Sequence, residues 1–411
     1  MSLPSERRAS LAAPEETRQT KNDTRPAAPD MRSSHGELGR YRIAIFLPDL
    51  RGGGAERVML NVASALAERG CSIDIVLAQK QGEYLEHVPS ALRVIGLGVT
   101  RTLQSIVPLS AYLKRERPDA LIGALPHANG ISLLARSLSG QKMPIIISLH
   151  NTMSVEMASE RGWRQLLLRS ITRILSPRAD AIVAVSRGVA DDYAGLVGID
   201  RARIQVIYNP VISPEMLAKS REPVNHPWLQ PGQPPVILGV GRLSPQKDFQ
   251  TLIKAFAVVR RTREARLIIL GQGSERSGLE SLVGELNLGD HVALPGFVEN
   301  PFAYMANAAV FALSSRFEGL PTVLIEAMAC GCRVISTDCP SGPREIIENA
   351  GAGILVPVGD PASLAGAIHN CLETNPARVS SETWDRYTLP VAADQYLNVI
   401  QQTIKNATLR I

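Results

Sequence analysis

From residue 41 onward, short apolar runs alternate with longer stretches in which apolar positions recur every three or four residues. "YRIAIFLP" (41–48) is the first apolar run. The turn "DLRGGGAE" (49–56) follows it, and then the helical pattern "RVMLNVASALAERG" (57–70), which Gly70 closes. "SIDIVLA", "DALIGAL", "PIIISLH" and "AIVAVS" read as further strands with helical segments between them. Unbroken apolar strands separated by helices predict a parallel sheet covered on both faces.

The pattern lapses over 208–235, where "YNPVISPEM" and "REPVNHPWLQPGQPP" raise the proline density, and then restarts. "VILGVGRL", "RLIILGQG", "HVALPGF", "VFALSS" and "RVISTD" form a second set of strands. The prediction is an α/β chain of two Rossmann-like, doubly wound domains facing a central cleft. They span 39–212 and 236–388, joined by a linker at 213–235. A terminal helix, 389–411, would pack back on the first domain. Residues 1–38, rich in Ser, Pro, Arg and Glu without periodicity, read as a disordered tail. Sheets of this kind bind ligands beyond the carboxyl ends of their strands.

At 411 residues, 45% apolar and 20% charged, the chain has the make-up of a globular protein with room for two cores. No apolar run reaches the roughly 18 residues of a membrane-spanning helix, and the N-terminus lacks the order of a secretory signal. Five cysteines (Cys71, Cys330, Cys332, Cys339 and Cys371) are too few and too uneven for a disulfide framework and fit a reduced, cytoplasmic protein. Cys330-Gly-Cys332 with Cys339 nearby lacks a fourth metal ligand. The net charge of +5 lies within residues 41–215. That excess reads either as a solvated surface or as a face toward an anionic membrane or phosphate-bearing acceptor. No dense Lys/Arg run with interleaved aromatics points to nucleic acid. "RGWRQLLLRSITRILSPR" (161–178), with Trp163, is a basic amphipathic pattern. It reads as a domain helix with its apolar face in the core, or as a membrane-surface helix.

Candidate chemistry gathers at the ends of strands. In "SSRFEGLPTVLIEAMACGC" (314–332) Glu318 precedes a helix entered near Pro321 and left at Gly331, and Glu326 lies inside it. The amides from Gly319 to Val323 form an anion site at the helix start, with carboxylates placed to accept hydrogen bonds from hydroxyl groups flanking a diphosphate. "GVGRLSPQKDF" supplies Arg242, a rigid fork, and Lys247, a mobile point charge, suited to a leaving diphosphate. Gly52, Gly53 and Gly54 leave a loop bare enough for a ligand to reach the backbone. His150 ends a strand and points at the cleft; Asn151 and His127 share that location. Gly271-x-Gly273 with Gly278 is a weak dinucleotide-like turn without a well-placed acidic residue, since Glu299 lies beyond Pro295 and Gly296.

In this order the motifs resemble the retaining glycosyltransferases of family 4, of GT-B architecture, over about residues 41–407. The glycine turn at 52–54, "GVGRLSPQKD", Gly271-x-Gly273 and the Glu-x7-Glu of Glu318 and Glu326 carry the resemblance. "STDCPSGPREII" is similar to members that build bacterial surface glycans on lipid carriers. The resemblance implies that Arg242, Lys247, Glu318 and His150 do the catalytic work. Arg242 and Lys247 would hold the donor diphosphate, Glu318 the transferred sugar, Glu326 the ribose, and His150 would approach the sugar. Gly319, Leu320 and Thr322 would touch phosphate and sugar through their backbone, Val298 the base, with Gly271 and Gly273 also on the donor side. Gly53 and Gly54 would shape the acceptor side. The implied partners are a nucleotide diphosphate sugar, UDP-hexose before GDP-mannose, and a lipid-linked or glycan acceptor, with peripheral contact with an anionic membrane. No cofactor is implied. No Asp-x-Asp metal site lies near a strand end, and the two cations make one unnecessary. The competing readings are a sugar-nucleotide epimerase or phosphorylase of the same architecture, or a non-catalytic nucleotide-sugar-binding module.

Overall fold

The computed structural model describes residues 41–51, 53–159, 163–374 and 381–409. The tail read as disordered (1–38), Gly52 and the side chain of Trp163 lie outside the described residues.

The first domain runs β1 (Arg42–Leu47), α1 (Gly54–Glu68), β2 (Ser72–Leu77), β3 (Arg93–Gly96), α2 (Ile106–Glu116), β4 (Ala120–Ala124), α3 (Pro126–Ser139), β5 (Ile145–Leu149), α4 (Met153–Ser159), α5 (Trp163–Leu175), β6 (Ala181–Ala184), α6 (Arg187–Val197) and β7 (Ile204–Val206). All pairings are parallel, in the order β3-β2-β1-β4-β5-β6-β7. The central strands are buried along their length because helices cover both faces. The one carboxylate in this sheet, Asp74 on β2, is held by Arg93 (2.8 and 2.7 Å) and by the Tyr112 hydroxyl (2.5 Å). Burial alone would push its pKa up; hydrogen bonds from Arg93 and Tyr112 outweigh that and hold it low.

The second domain comprises α7 (Pro214–Lys219), β8 (Val236–Val240), α8 (Phe249–Arg260), β9 (Arg266–Leu270), α9 (Arg276–Glu285), β10 (Val292–Gly296), α10 (Pro301–Asn307), β11 (Val310–Leu313), α11 (Thr322–Ala329), β12 (Arg333–Thr337), α12 (Pro343–Ala350), β13 (Ile354–Val356) and α13 (Pro361–Glu373). Its sheet is also all parallel, in the order β10-β9-β8-β11-β12-β13. The strand order reverses between β1 and β4 in one sheet and between β8 and β11 in the other. These switch points open a crevice at the carboxyl edge of each sheet.

Three strands escape the sequence pattern: β3, β7 and β13, each three or four residues long and at or next to a sheet edge. The segment read as a featureless linker also has structure. It contains α7, capped by the Ser213 hydroxyl, and Trp228 lies under the Arg266 guanidinium at 5.2 Å, fixing it to the second domain.

The chain crosses between domains twice, and the two crossings run side by side. The amides of Val211 and Ile212 donate to the Tyr387 carbonyl (2.9 and 3.0 Å), and Tyr208 meets Tyr387 edge-to-face. The final helix, α14 (Leu389–Thr408), then lies against α1 of the first domain. Ala392, Tyr396 and Ile400 enter that domain's core, and Arg69 pairs with Asp394 at 2.8 Å.

Candidate active site

Both switch points carry polar loops, and these loops face one another. In the second domain the loop after β8 bears Arg242 and Lys247, and the loop after β11 bears Glu318. Ser314 Oγ donates to the Lys247 carbonyl, the Gln246 amide to the Phe317 carbonyl, and the Arg316 amide to the Gln246 carbonyl. The two loops are therefore one unit. At its centre Lys247 Nζ reaches Glu318 Oε1 at 2.5 Å, and the Ser315 hydroxyl donates to the same oxygen at 2.5 Å. Glu318 is 6% exposed, and its charge is compensated by the half-buried Lys247 ammonium and a hydroxyl. Asp248, in the left-handed region at φ 47°, turns the chain from Lys247 into α8 and pairs with Arg316.

Arg242 is exposed on the first turn of this loop, close enough to Glu56 of the first domain to favour that residue's ionised form. The turn is backed by Gly271 and Gly273. A Cβ on Gly271 would lie 1.9 Å from the Gly241 carbonyl oxygen, and one on Gly273 2.2 Å from that of Leu243. Glycine is needed there for the two loops to close on each other. Val298 is half-buried, and Phe297 beside it is 73% exposed, an aromatic that the sequence reading passed over.

α11 begins at Thr322, with Pro321 as its cap residue rather than inside the first turn, and ends before Gly331 at φ 82°. Leu320 is buried beneath the entry to the helix. Of its first-turn amides, that of Leu324 donates to the Pro321 carbonyl at 3.0 Å, and those of Thr322 and Val323 have no carbonyl partner within the helix. Glu326 lies in its second turn, buried, with its pKa pushed up to about 7 by desolvation and only partly restrained by Arg57 of α1.

The first domain supplies the opposing wall. Gly53 caps α1 and Gly54 opens it. The Glu56 carboxylate folds back over Gly53, where a Cβ would be 1.9 Å from Glu56 Oε2. Burial raises the Glu56 pKa. His150 follows β5 and is buried; its Nε2 is 3.0 Å from Ser148 Oγ, which lies 3.1 Å from the Tyr396 hydroxyl of α14. Its Nδ1 has no partner among the described residues. Burial brings the His150 pKa down to about 4, so the ring is neutral at pH 7. His127 is exposed at the start of α3.

Two side chains of the first domain hold the backbone of the Glu318 loop directly. Thr152 Oγ1 donates to the Glu318 carbonyl at 2.8 Å, and Ser186 Oγ to the Gly319 carbonyl at 2.8 Å. A Cβ on Gly319 would stand 2.0 Å from the His150 carbonyl oxygen. Neither hydroxyl stands out in sequence, because an isolated Ser or Thr after a strand is ordinary loop composition. The cysteines near the cleft are neutral thiols: burial pushes Cys330, Cys332 and Cys339 up to about 12. Among the described residues no three His, Cys, Asp or Glu side chains gather as metal ligands.

Two facing Rossmann-like sheets, with polar loops at both switch points, define the GT-B class of glycosyltransferases. Residues 52–212 match the family model described as Glycosyltransferase Family 4, and residues 221–384 the model described as Glycosyl transferases group 1. The chain belongs to glycosyltransferase family 4. It is 29% identical over 377 residues to N-acetylgalactosamine-N,N'-diacetylbacillosaminyl-diphospho-undecaprenol 4-alpha-N-acetylgalactosaminyltransferase of Campylobacter jejuni, covering 87% of this chain and 99% of that protein. It is 27% identical over 361 residues to lipopolysaccharide core biosynthesis glycosyltransferase LpsE of Rhizobium meliloti, covering 85% and 96%. Anabaena Alr3699/HepE in complex with UDP and glucose shares the fold with a TM-score of 0.70 at 20% identity, over 88% of this chain and 100% of that one.

Proposed function

We propose that this glycosyltransferase moves a hexose, with retention of configuration, from a nucleotide diphosphate sugar to a lipid-linked or glycan acceptor. UDP-sugars are the preferred donors, GDP-mannose the next, and bacterial surface glycan synthesis at the cytoplasmic face of a membrane is the setting. The observation that carries this reading is the Lys247–Glu318 pair, with Glu318 buried and Lys247 half-buried, beside the start of α11, with Arg242 on the adjoining turn.

As the bond from the anomeric carbon to the donor phosphate breaks, its electron pair leaves with the diphosphate and positive charge builds on the sugar. Arg242, Lys247 and the Thr322 and Val323 amides of α11 meet the negative end, stabilising it more as charge develops. Glu318 accepts from sugar hydroxyls, Glu326 from the ribose, and neutral His150 offers Nδ1 to the sugar. Gly319, Leu320 and Thr322 line the phosphate through their backbone, and Gly271 and Gly273 shape the donor side from behind Arg242. Val298, with the exposed Phe297, borders the base. The acceptor oxygen attacks from the face the diphosphate leaves, and its proton passes to the departing phosphate oxygen. The acceptor enters past Gly53 and Gly54.

Purified protein titrated with a panel of sugar nucleotides tests this. Binding of a UDP-hexose, with slow release of UDP and free sugar of the donor's own anomeric form by NMR, is expected. Binding of no member would overturn the assignment, and a changed sugar still attached to UDP would reveal an epimerase.

A further inference from the structure

The amphipathic pattern at 161–178 leaves most of its described apolar side chains outside the core. Of the described side chains of α5 only Leu175 is buried, and Leu166, Leu167, Ile171 and Ile174 are open to solvent, with Leu167, Ile171 and Ile174 at helical spacing on one face. Helix α5 packs beside α3, and α3 beside α2, in the layer that covers one face of the first sheet. The inner side of that layer is ordinary: Leu109 and Leu113 of α2 and Ile131 of α3 are buried. Its outer side is not. Leu103 in the turn before α2, Val107 in its first turn and Leu138 on α3 join the four α5 residues, all between 40% and 68% exposed. A helix layer facing only water carries polar residues there.

The charge on this face has one sign. Residues 101–115, 126–144 and 163–178 contain no Asp or Glu. Arg101, Lys114, Lys142 and Arg169 are exposed among the apolar positions. Glu116, which ends α2, is taken up by Arg42 and Arg93. Two copies meeting through such a face would set cation against cation. A bilayer bearing anionic headgroups matches both features, since it accepts apolar side chains at its interface and attracts the cations around them.

We infer that the outer face of α2, α3 and α5 together is a docking surface for an anionic lipid bilayer. Leu103 and Val107 lie where α2 starts, which by the topology is the carboxyl edge of the first sheet, so the face adjoins the mouth of the cleft. A lipid-borne acceptor would then reach the site without leaving the interface. That last step rests on the proposed acceptor class; the surface does not.

The test is flotation of the full chain with vesicles of phosphatidylcholine alone or mixed with phosphatidylglycerol. Capture by the anionic vesicles, lost as salt is raised, is expected. Leu166→Ser with Ile174→Ser should lower the bound fraction by about tenfold, and Arg101→Glu with Arg169→Glu likewise, with thermal unfolding and UDP-glucose binding unchanged in both. Absence of capture, or capture equal in both variants, would overturn the inference. Salt-insensitive self-association abolished by the same leucine and isoleucine changes would assign the face to a second copy instead. No sugar nucleotide enters the flotation experiment. Vesicle capture without donor binding therefore sinks the proposed function and leaves the surface standing, and the converse sinks the surface alone.

Discussion

Lys247 and Glu318 neutralise one another in a site that a diphosphate is proposed to enter. The ion pair is nearly dry, so the lysine is oriented before any ligand arrives. Replacing Lys247 by Ala removes a charge-assisted donor worth about 1.5–3 kcal/mol. Affinity for UDP, measured by calorimetry, should fall roughly tenfold to a hundredfold; unchanged affinity would detach Lys247 from the phosphate. Glu326 gives a second prediction. Its folded pKa of about 7 lies above the ordinary carboxylate value of 4.5, so the folded chain holds this proton longer than the unfolded one. The stability this group contributes is present below about pH 4.5 and is lost as pH rises through 7, a change on the order of 3 kcal/mol. A ribose that donates to the carboxylate favours its ionised form. UDP-glucose, which does not titrate between pH 6 and 8, should therefore bind about tenfold more weakly at pH 6 than at pH 8. Glu326→Gln should flatten that profile, and a wild-type profile already flat would remove Glu326 from the ribose.

At the scale of elements, the central strands were legible and the edges were not. β1, β4 and β5 are buried on both faces, so each is an unbroken apolar run. β3 exposes Arg93 and Gly96 and is pinned by the Arg93–Asp74 pair, which links residues 19 apart and leaves no local pattern. The loop chemistry followed the same rule. Arg242, Lys247, Glu318 and Glu326 were visible because charged residues beside apolar strands are rare. Thr152, Ser186, Ser148 and Tyr396 were invisible, because their roles depend on partners more than a hundred residues away. The Gly271 turn belongs to this scale too. Its φ of 138° and the Gly241 carbonyl 1.9 Å from an added Cβ make Gly271→Ala a strain on the Arg242 loop. Chemical unfolding should show a loss of about 1–3 kcal/mol, with weaker UDP binding; a variant as stable as the parent would mean that the loop yields freely.

Across the cleft of the whole molecule the Glu318–Gly319 backbone passes under the His150 carbonyl and is bonded by Thr152 and Ser186, and beside this seam Thr152 also meets Ser341 and the Arg187 amide donates to Glu345. Gly319 is not in the left-handed region, so alanine suits its own backbone. What excludes a side chain there is the other domain. Gly319→Ala should therefore leave each domain folded while wedging them apart. Small-angle scattering should give a larger radius of gyration, and thermal unfolding should change little. Glycosyl transfer should fall far more than binding of UDP, whose proposed ligands all lie in the second domain. Thr152→Val with Ser186→Ala removes the two bonds to the Glu318–Gly319 backbone, together with the Thr152–Ser341 bond and the Ser186 cap on the Val189 amide of α6, each worth about 1 kcal/mol, without inserting bulk. That variant should show the same opening more weakly, with a smaller loss of turnover. The pair of variants separates two accounts of the seam. If both lower turnover without changing the scattering, the hydroxyls and the glycine act on the local geometry of Glu318. If both expand the molecule and donor binding survives, the seam sets the distance between the donor loops and the acceptor wall, and with it the rate of transfer.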